Sequence, residues 1–198
     1  KNTVFAHGVH LSDDDIVLLA ERDTAIAHCP QSNLKLASGA ARLPDLIRAG
    51  VRVALGTDGA ASNNDLNMWG ELNSAAMLHK LVNGDPTAAD ALTVLRMATR
   101  NGAELLGLGD QLGSLKVGKR ADMILIDLEQ PHLVPLYNIY SHLAYAVNKA
   151  DVSTTIIEGE VVMRDRHLCT LDEKELFAKA REMAAEIGSR FGTQTKEA

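Results

Sequence analysis

Residues 51–58 read VRVALGTD, an apolar run that ends on a carboxylate. Two earlier runs have the same form, VFAH at residues 4–7 and AIAH at residues 25–28, and the three ends lie 21 and 30 residues apart. That spacing fits one strand, one helix and one return loop per unit, and continuous apolar runs are typical of parallel strands buried on both faces. Side chains at the carboxyl ends of barrel strands meet on one face, where the active site lies. The pattern therefore predicts an α/β enzyme, specifically part of a TIM-type (β/α)8 barrel.

Helix signals separate and follow these runs. Ser12 precedes three aspartates, and such residues favour a helix start because they bind free N–H groups and oppose the helix dipole. An apolar stripe follows, formed by Ile16, Leu19 and Ala20. Three further helices are predicted, near residues 40–49, 65–82 and 88–106. Their inward-facing residues are expected to include Leu43, Leu46, Ile47, Leu92, Leu95 and Ala98.

The pattern changes near residue 109. A short strand and turn are predicted at residues 112–118 and a strand at residues 121–127, and a hairpin turns at Glu158-Gly159 within residues 154–163. A last helix is predicted at residues 172–188, with Leu176, Ala180, Met183 and Ile187 on one side, and the tail after Phe191 is expected to fray. We therefore predict three parts: a barrel segment (1–109), a mostly β-sandwich segment with a connecting loop or helix (110–170), and an amphipathic helix with a frayed tail (171–198).

The composition argues against several classes of partner. The 198 residues are 46% hydrophobic and carry a formal net charge of −6, without a basic run, so nucleic acid is not expected as a partner. There is no uncharged apolar stretch of about 18 residues, so no membrane span is predicted. Cys29 and Cys169 are far apart and form no disulfide framework, which favours reduced thiols in a cytoplasmic protein.

Three parallel strands are too few to close a barrel, which takes eight. Their unpaired edges would be exposed, and the chain starts at Lys1 without an initiator Met. We therefore expect an upstream segment of the same protein to supply the missing strands. A small independent α/β domain with an open sheet is the alternative.

Asp58 is the sharpest candidate for chemistry. It follows an apolar strand and precedes the small, polar loop GAASNN at residues 59–64. A carboxylate there can bind a divalent metal and accept a proton from bound water. The alternative is a carboxylate that fixes the loop or caps a helix.

His7 is the second candidate, because an imidazole at a strand end can polarise water, donate to an oxyanion or bind a metal. A buried imidazole bonded to a backbone carbonyl is the alternative. Supporting or structural roles are assigned to His10, His28, Asn33 and Ser62. Residues 32–35 either line the mouth or turn the chain. The later histidines lack convergent partners and are predicted to be surface or packing residues: His79, His132, His142 and His167.

Three motifs give the chain a family resemblance. FAHGVHL (5–11), AHCPQSNLKL (27–36) and LGTDGAASNN (55–64) resemble barrel strands six, seven and eight of metal-dependent amidohydrolases, with their loops. GSLKVGKRAD (113–122) resembles the return into the small β domain of that superfamily. Within it, the string at residues 56–64 is most similar to the 5′-methylthioadenosine/S-adenosylhomocysteine deaminases.

The resemblance implies roles for two residues. Asp58 corresponds to the strand-eight metal ligand, which also moves a proton and touches substrate. His7 corresponds to the strand-six histidine that orients the attacking hydroxide and the leaving group, and so also contacts substrate. The implied reaction is zinc-dependent deamination of an adenosine-type purine nucleoside to its inosine analogue and ammonia, with one Zn²⁺ per complete chain, or Fe²⁺ instead.

Other ligands of the family have no counterpart in residues 1–198: its histidines on strands one and five, and the glutamate that protonates the purine. One carboxylate and one imidazole do not hold a catalytic zinc, so this chain alone is expected to be inactive. Guanine deamination or triazine dechlorination are the alternatives within the superfamily. A catalytically dead binding or assembly module is the alternative outside it, and a homo-oligomer stays open.

Overall fold

The computed structural model describes residues 3–192, which form a three-stranded parallel sheet, a four-stranded antiparallel sheet and nine α-helices. The strands are β1 (Val4–Ala6), β2 (Ala25–His28), β3 (Val53–Leu55), β4 (Met123–Ile126), β5 (Val152–Ile157), β6 (Glu160–Arg164) and β7 (His167–Leu168). The helices are α1 (Asp13–Glu21), α2 (Pro30–Lys35), α3 (Leu43–Arg48), α4 (Ala60–Asn63), α5 (Met68–Asn83), α6 (Ala91–Ala98), α7 (Arg100–Leu105), α8 (Ile139–Tyr145) and α9 (Glu173–Phe191). The tail that was predicted to fray lies, beyond Gly192, outside the described residues.

The parallel sheet has the order β1-β2-β3, so neighbours in the sheet are also neighbours in sequence. Phe5 pairs with Ile26, and Ala27 pairs with Ala54. Helix α1 connects the first two strands, while α2 and α3 lie between the second and the third. The predicted βα alternation is confirmed, and it brings three strand ends to one edge of the sheet.

Helix α1 begins as its sequence predicts. The Ser12 hydroxyl accepts a hydrogen bond from the backbone N–H of Asp15, whose carboxylate accepts one from the N–H of Ser12. This reciprocal pair is a capping box, which satisfies two N–H groups that the helix itself cannot. Ile16 and Leu19 are buried on the inner face of the helix. The predicted cap and apolar stripe are both confirmed.

Helix α3 is shorter than the predicted 40–49, and one of its inward assignments is wrong. Leu43 and Leu46 are fully buried, whereas Ile47 is 43% exposed. Residues three apart share a helix face, but the next residue is rotated by about 100°. A helix of six residues therefore buries one narrow stripe, and Ile47 lies beside it.

The single helix predicted at residues 88–106 is wrong, because the chain forms α6 and α7 with a break at Thr99. The Thr99 hydroxyl donates to the carbonyl of Leu95 at 2.7 Å, a local bond that competes with regular helix pairing. The buried face of α6 consists of Val94 and Met97. The residues assigned inward from the pattern, Leu92, Leu95 and Ala98, are partly buried at its margin.

The hydrophobic core lies between the parallel sheet and the helices that follow it. Its largest fully buried apolar side chains come from β2, α3, α5 and α6: Ile26, Leu43, Leu46, Leu72 and Met97. Because these residues fix the strands against the helices, the loops at the strand ends start from rigid positions.

The antiparallel sheet has the order β4-β5-β6-β7. Glu158 and Gly159 join β5 to β6 with φ angles of 51° and 85°, the left-handed conformation that a two-residue hairpin turn requires. The hairpin prediction is confirmed. Of the short strand and turn predicted at residues 112–118, the turn is confirmed and the strand is wrong. The Lys119 ammonium, just after this segment, donates to the carbonyls of Gly109 and Leu112.

Helix α9 confirms the predicted last helix and begins at Asp172, whose carboxylate accepts from the N–H groups of the first turn. None of its residues is buried in the described chain, and Met183 and Ile187 are 54% and 55% exposed. The domain boundaries at 109/110 and 170/171 stay a prediction. None of the helices in residues 3–192 combines the length and apolar character needed to cross a bilayer.

Candidate active site

The ends of β1 and β3 bring His7 and Asp58 together. The parallel register of the sheet places both residues just beyond the same edge. Nε2 of His7 lies 3.8 Å from Oδ2 of Asp58, and the two side chains are 37% and 33% exposed. Each side chain is thus partly buried and partly accessible to solvent, so a small molecule could contact both.

Asp58 is held by three hydrogen bonds from its own chain. The hydroxyls of Ser32 and Ser62 each donate to Oδ2 at 2.7 Å, and the N–H of Gly59 donates to Oδ1 at 2.7 Å. These bonds favour the charged form, so the hydroxyls of Ser62 and Ser32, followed by the Gly59 N–H, lower the pKa of Asp58 to about 2. Asp58 is therefore a fixed carboxylate at neutral pH.

His7 is held on its other ring nitrogen. Its Nδ1 lies 2.8 Å from Oδ1 of Asn33, and its backbone N–H donates to the carbonyl of Ala27 at 2.9 Å. The Nε2 atom is left facing Asp58. The ring is thereby oriented for contact with a ligand between the two strand ends.

Both residues have a left-handed backbone. The φ angles are 66° for His7 and 59° for Asp58, a conformation that non-glycine residues seldom adopt. Such conformations persist where the surrounding structure imposes them, and they concentrate at functional sites. The strained backbone turns both side chains toward the space between β1 and β3.

Helix α2 carries the partners of both groups. Ser32 and Asn33 are 0% and 1% exposed. Both were predicted to line the mouth or turn the chain, and Asn33 also to have a supporting or structural role. Lys35, one turn on, donates through Nζ to the carbonyl of Ala61 at 2.8 Å and also to Oδ1 of Asn64. Helix α2 is thus tied to α4, the short helix that bears Ser62.

The sequence analysis missed Glu71, a carboxylate on α5 that is fully buried behind the site. Its Oε2 accepts from the N–H of Gln31 at 3.1 Å, and its Oε1 accepts from the Asn63 side chain. Burial raises the pKa of Glu71. Its spacing of four residues from Ala75 and eight from His79, which share a buried stripe of α5, is the signal that would have found it.

The His28 ring, at the end of β2, contacts α5. Its Nε2 lies 2.9 Å from Nε2 of His79 on α5, and both rings are fully buried. Burial lowers the pKa of His28 to about 3 and that of His79 to about 4. A supporting role for His28 stays a prediction, but the prediction that His79 lacks a partner is wrong.

The other histidines have simpler surroundings. His10 is exposed on the loop before α1. His132 lies 3.0 Å from the carboxylate of Asp151, so the prediction that it has no partner is also wrong. His142 and His167 contact the carbonyls of nearby residues. The roles assigned to His7, Asp58, His10, His28, Asn33 and Ser62 stay predictions.

The carboxylate of Asp58 is one side chain of the site that could bind a metal ion. Its Oδ1 accepts one N–H and keeps a free lone pair. The described part of the chain contains no group of three or more metal-binding side chains, whereas a catalytic zinc takes about three protein ligands. Asp58 therefore fits one corner of a metal site.

Comparison with known proteins shows the family of this chain. The model of the amidohydrolase family matches residues 1–162. The chain belongs to the amidohydrolase family.

One relative of this amidohydrolase is the 5-methylthioadenosine/S-adenosylhomocysteine deaminase of Desulforudis audaxviator, 53% identical over 92% of this chain and 42% of the relative. A zinc-bound adenosine deaminase from Xanthomonas campestris superposes with a TM-score of 0.91 and 44% identity, over 94% of this chain and 42% of that one. An atrazine chlorohydrolase from Arthrobacter aurescens, complexed with zinc, superposes with a TM-score of 0.85 and 29% identity. The superposition covers 91% of this chain and 40% of that one.

These comparisons confirm two predictions, the family and the fold class. The parallel sheet of this amidohydrolase is part of a TIM-type barrel, and the antiparallel sheet follows it in the chain. The chain spans 42% of the length of the deaminase it matches at 53% identity.

Proposed function

We propose that the complete protein is a zinc-dependent deaminase of adenosine-type nucleosides, with 5′-methylthioadenosine and S-adenosylhomocysteine as substrates. The observation that carries the proposal is the oriented pair of His7 and Asp58, 3.8 Å apart at the ends of parallel strands. The 53% identity to a deaminase of that name and the zinc in two similar structures support it.

Asp58 would hold the metal through Oδ1. Its Oδ2, which accepts the two serine hydroxyls, would take the proton as one of those hydrogen bonds is released. A bound zinc ion supplies a Lewis acid that lowers the pKa of a coordinated water to about 7. The remaining ligands and the acid that protonates the purine would come from an upstream segment of the same protein. The 42% coverage of the relative's length supports this expectation.

The reaction adds water to C6 of the adenine ring and releases the 6-amino group as ammonia. Asp58 takes the proton that the attacking water loses and passes it to the departing nitrogen. The lowered pKa of Asp58 keeps the carboxylate ionised at neutral pH, so it carries no proton before the water attacks. His7 holds the attacking water through a hydrogen bond at Nε2 and so fixes its direction toward C6.

The test measures ammonia release from 5′-methylthioadenosine by the zinc-loaded complete protein. Asp58→Asn should lower turnover at least about a thousandfold, because a ligand charge and the proton acceptor are both lost. Asp14→Asn, at an exposed acid in α1, is the matched control and should leave turnover unchanged. Turnover that survives Asp58→Asn would refute the mechanism.

The second candidate is a triazine-type chlorohydrolase, favoured by the structural similarity to the Arthrobacter aurescens enzyme. The lower identity, 29% against 53%, places it behind nucleoside deamination. A panel of methylthioadenosine, guanine and a chlorotriazine separates these activities, including guanine deamination. About one zinc or iron per complete chain separates any of them from a dead binding module.

Two further proposals concern the setting of the enzyme. We place it in the cytoplasm, which the two free thiols of Cys29 and Cys169 support. The relevant partner is a small nucleoside, and neither nucleic acid nor a membrane is part of the proposal. A homo-oligomer is an open prediction that sedimentation of the complete protein would test.

A further inference from the structure

One turn of α2 contacts both groups of the candidate active site. The Ser32 hydroxyl donates to Asp58, and Oδ1 of the next residue, Asn33, lies 2.8 Å from Nδ1 of His7. A carbonyl oxygen only accepts hydrogen bonds, so this contact requires a proton on Nδ1. In the neutral ring, Nε2 then carries a lone pair, and Nε2 is the atom that faces Asp58.

The rest of the Asn33 amide lacks hydrogen-bond partners. The side chain is 1% exposed, and its Nδ2 is a buried atom without a hydrogen-bond partner in the described structure. Burial of an unpaired amide is unfavourable, and a leucine of similar size would avoid that cost. The contact with His7 is what the amide provides at this position.

The position of Asn33 is itself fixed from behind. The N–H of Gln31 donates to the buried Glu71 carboxylate at 3.1 Å, and Nε2 of Gln31 donates to Ser74 at 3.2 Å. Both acceptors lie on α5, which belongs to the core. The acceptor oxygen of Asn33 is therefore held by packed structure rather than by a loose loop.

We propose that Asn33 is a positioning residue for the proposed deamination, on which this inference rests. Its amide oxygen holds His7 in the tautomer with the proton on Nδ1, so that the Nε2 lone pair faces the space beside Asp58. His7 then accepts a hydrogen bond from the attacking water and has no Nε2 proton to offer. Ser32 and Asn33 together let one helical turn set the geometry of both groups.

The first experiment reads the tautomer without any use of activity. The complete protein is labelled with ¹⁵N-histidine, and its ring nitrogens are recorded by NMR at about pH 8, where a histidine of ordinary pKa is neutral. Spectra with and without zinc are compared, and His7→Gln identifies the His7 signals. Wild-type protein should show a protonated Nδ1 and an unprotonated Nε2. A proton on Nε2 would overturn the proposal, whatever the variants do.

The variants then test the role of the amide. Asn33→Leu should shift His7 toward the Nε2-protonated form and lower kcat by about 10- to 100-fold with little change in KM. Asn33→Asp keeps an acceptor oxygen and should restore the tautomer and most of kcat. Asn73→Leu is the control: it removes a comparable hydrogen bond, from Nδ2 to the Ala144 carbonyl, and should change neither the tautomer of His7 nor kcat.

The two proposals fail separately. A His7 spectrum that is unchanged by Asn33→Leu would refute the positioning role even in an active deaminase. Absence of ammonia release by the wild-type protein would refute the proposed function, because the tautomer is read from the nitrogen signals alone.

Discussion

At the scale of residues, Asp58 has two oxygens with different surroundings. Oδ2 accepts two hydroxyl groups, whereas Oδ1 accepts one backbone N–H. A carboxylate with this asymmetry has one oxygen anchored and one available, so the serines decide which oxygen a ligand meets. The strand-end position of Asp58 made it predictable from sequence, but its partners depend on where α2 and α4 lie.

Removal of either hydroxyl should weaken this anchoring. Ser32→Ala and Ser62→Ala should each raise the pKa of Asp58 toward its ordinary value and lower turnover by about 10- to 100-fold. Because the two hydroxyls share one oxygen, the double variant should lose less than the sum of the single effects. Kinetics of the four proteins in a double-mutant cycle check this, with Ser153→Ala on β5 as the control. Additive losses would show that the serines act independently.

At the scale of elements, the contact between α2 and α5 sets the site. Gly70 allows this approach, since a Cβ there would lie 2.6 Å from Nε2 of Gln31. The sequence indicated α5 by its apolar periodicity, and α2 was read as turn because six residues with a proline at the start carry little periodic signal. Short helices form where tertiary contacts stabilise them, and those contacts are not visible in a local pattern.

Gly70→Ala and Gly102→Ala form a matched pair at the third position of two helices. Alanine in a helix interior is favoured over glycine by about 1 kcal/mol. Gly102→Ala has ordinary space, its nearest atom at 3.9 Å, and should gain most of that free energy. Gly70→Ala displaces Gln31 and its bond to Ser74, a loss of about 1 kcal/mol that cancels the gain. Urea unfolding of the complete protein measures the difference, and equal gains would contradict the packing argument.

At the scale of the whole molecule, a buried imidazole pair joins the sheet to α5. The folded chain resists protonation of His28 and His79, whose pKa values are lowered to about 3 and about 4. The unfolded chain takes up protons near the ordinary pKa of about 6.5. Between these values the unfolded state binds more protons, so the free energy of unfolding falls as pH decreases from about 6.5 toward 4.

This linkage predicts a loss of unfolding free energy of up to about 1.4 kcal/mol per pH unit for each histidine. The unfolding midpoint of the complete protein should drop between pH 7 and pH 5. The double variant H28L/H79L should flatten that dependence, while His167→Gln, at an exposed ring, should leave it as in wild type. A double variant with the wild-type slope would assign the acid sensitivity to other groups. His28 was visible at a strand end, but its partner lies 51 residues away and only the fold shows it.

The proposed division of the site between this chain and an upstream segment gives another whole-molecule prediction. Residues 1–198 expressed alone should show no deaminase turnover with added zinc, because Asp58 supplies one ligand where about three are needed. The complete protein under the same conditions is the positive control. Turnover by residues 1–198 alone would mean that the metal needs no upstream ligands.

The left-handed backbone at His7 and Asp58 implies a conflict between thermal stability and the proposed activity. An L-residue in that region loses roughly 1–2 kcal/mol that glycine would not, so glycine at either position should make the protein harder to melt. A laboratory selection for thermal stability alone would therefore enrich glycine at these two positions and yield a stable but inactive protein. A selection for thermal stability on this protein therefore needs a measurement of turnover in every round.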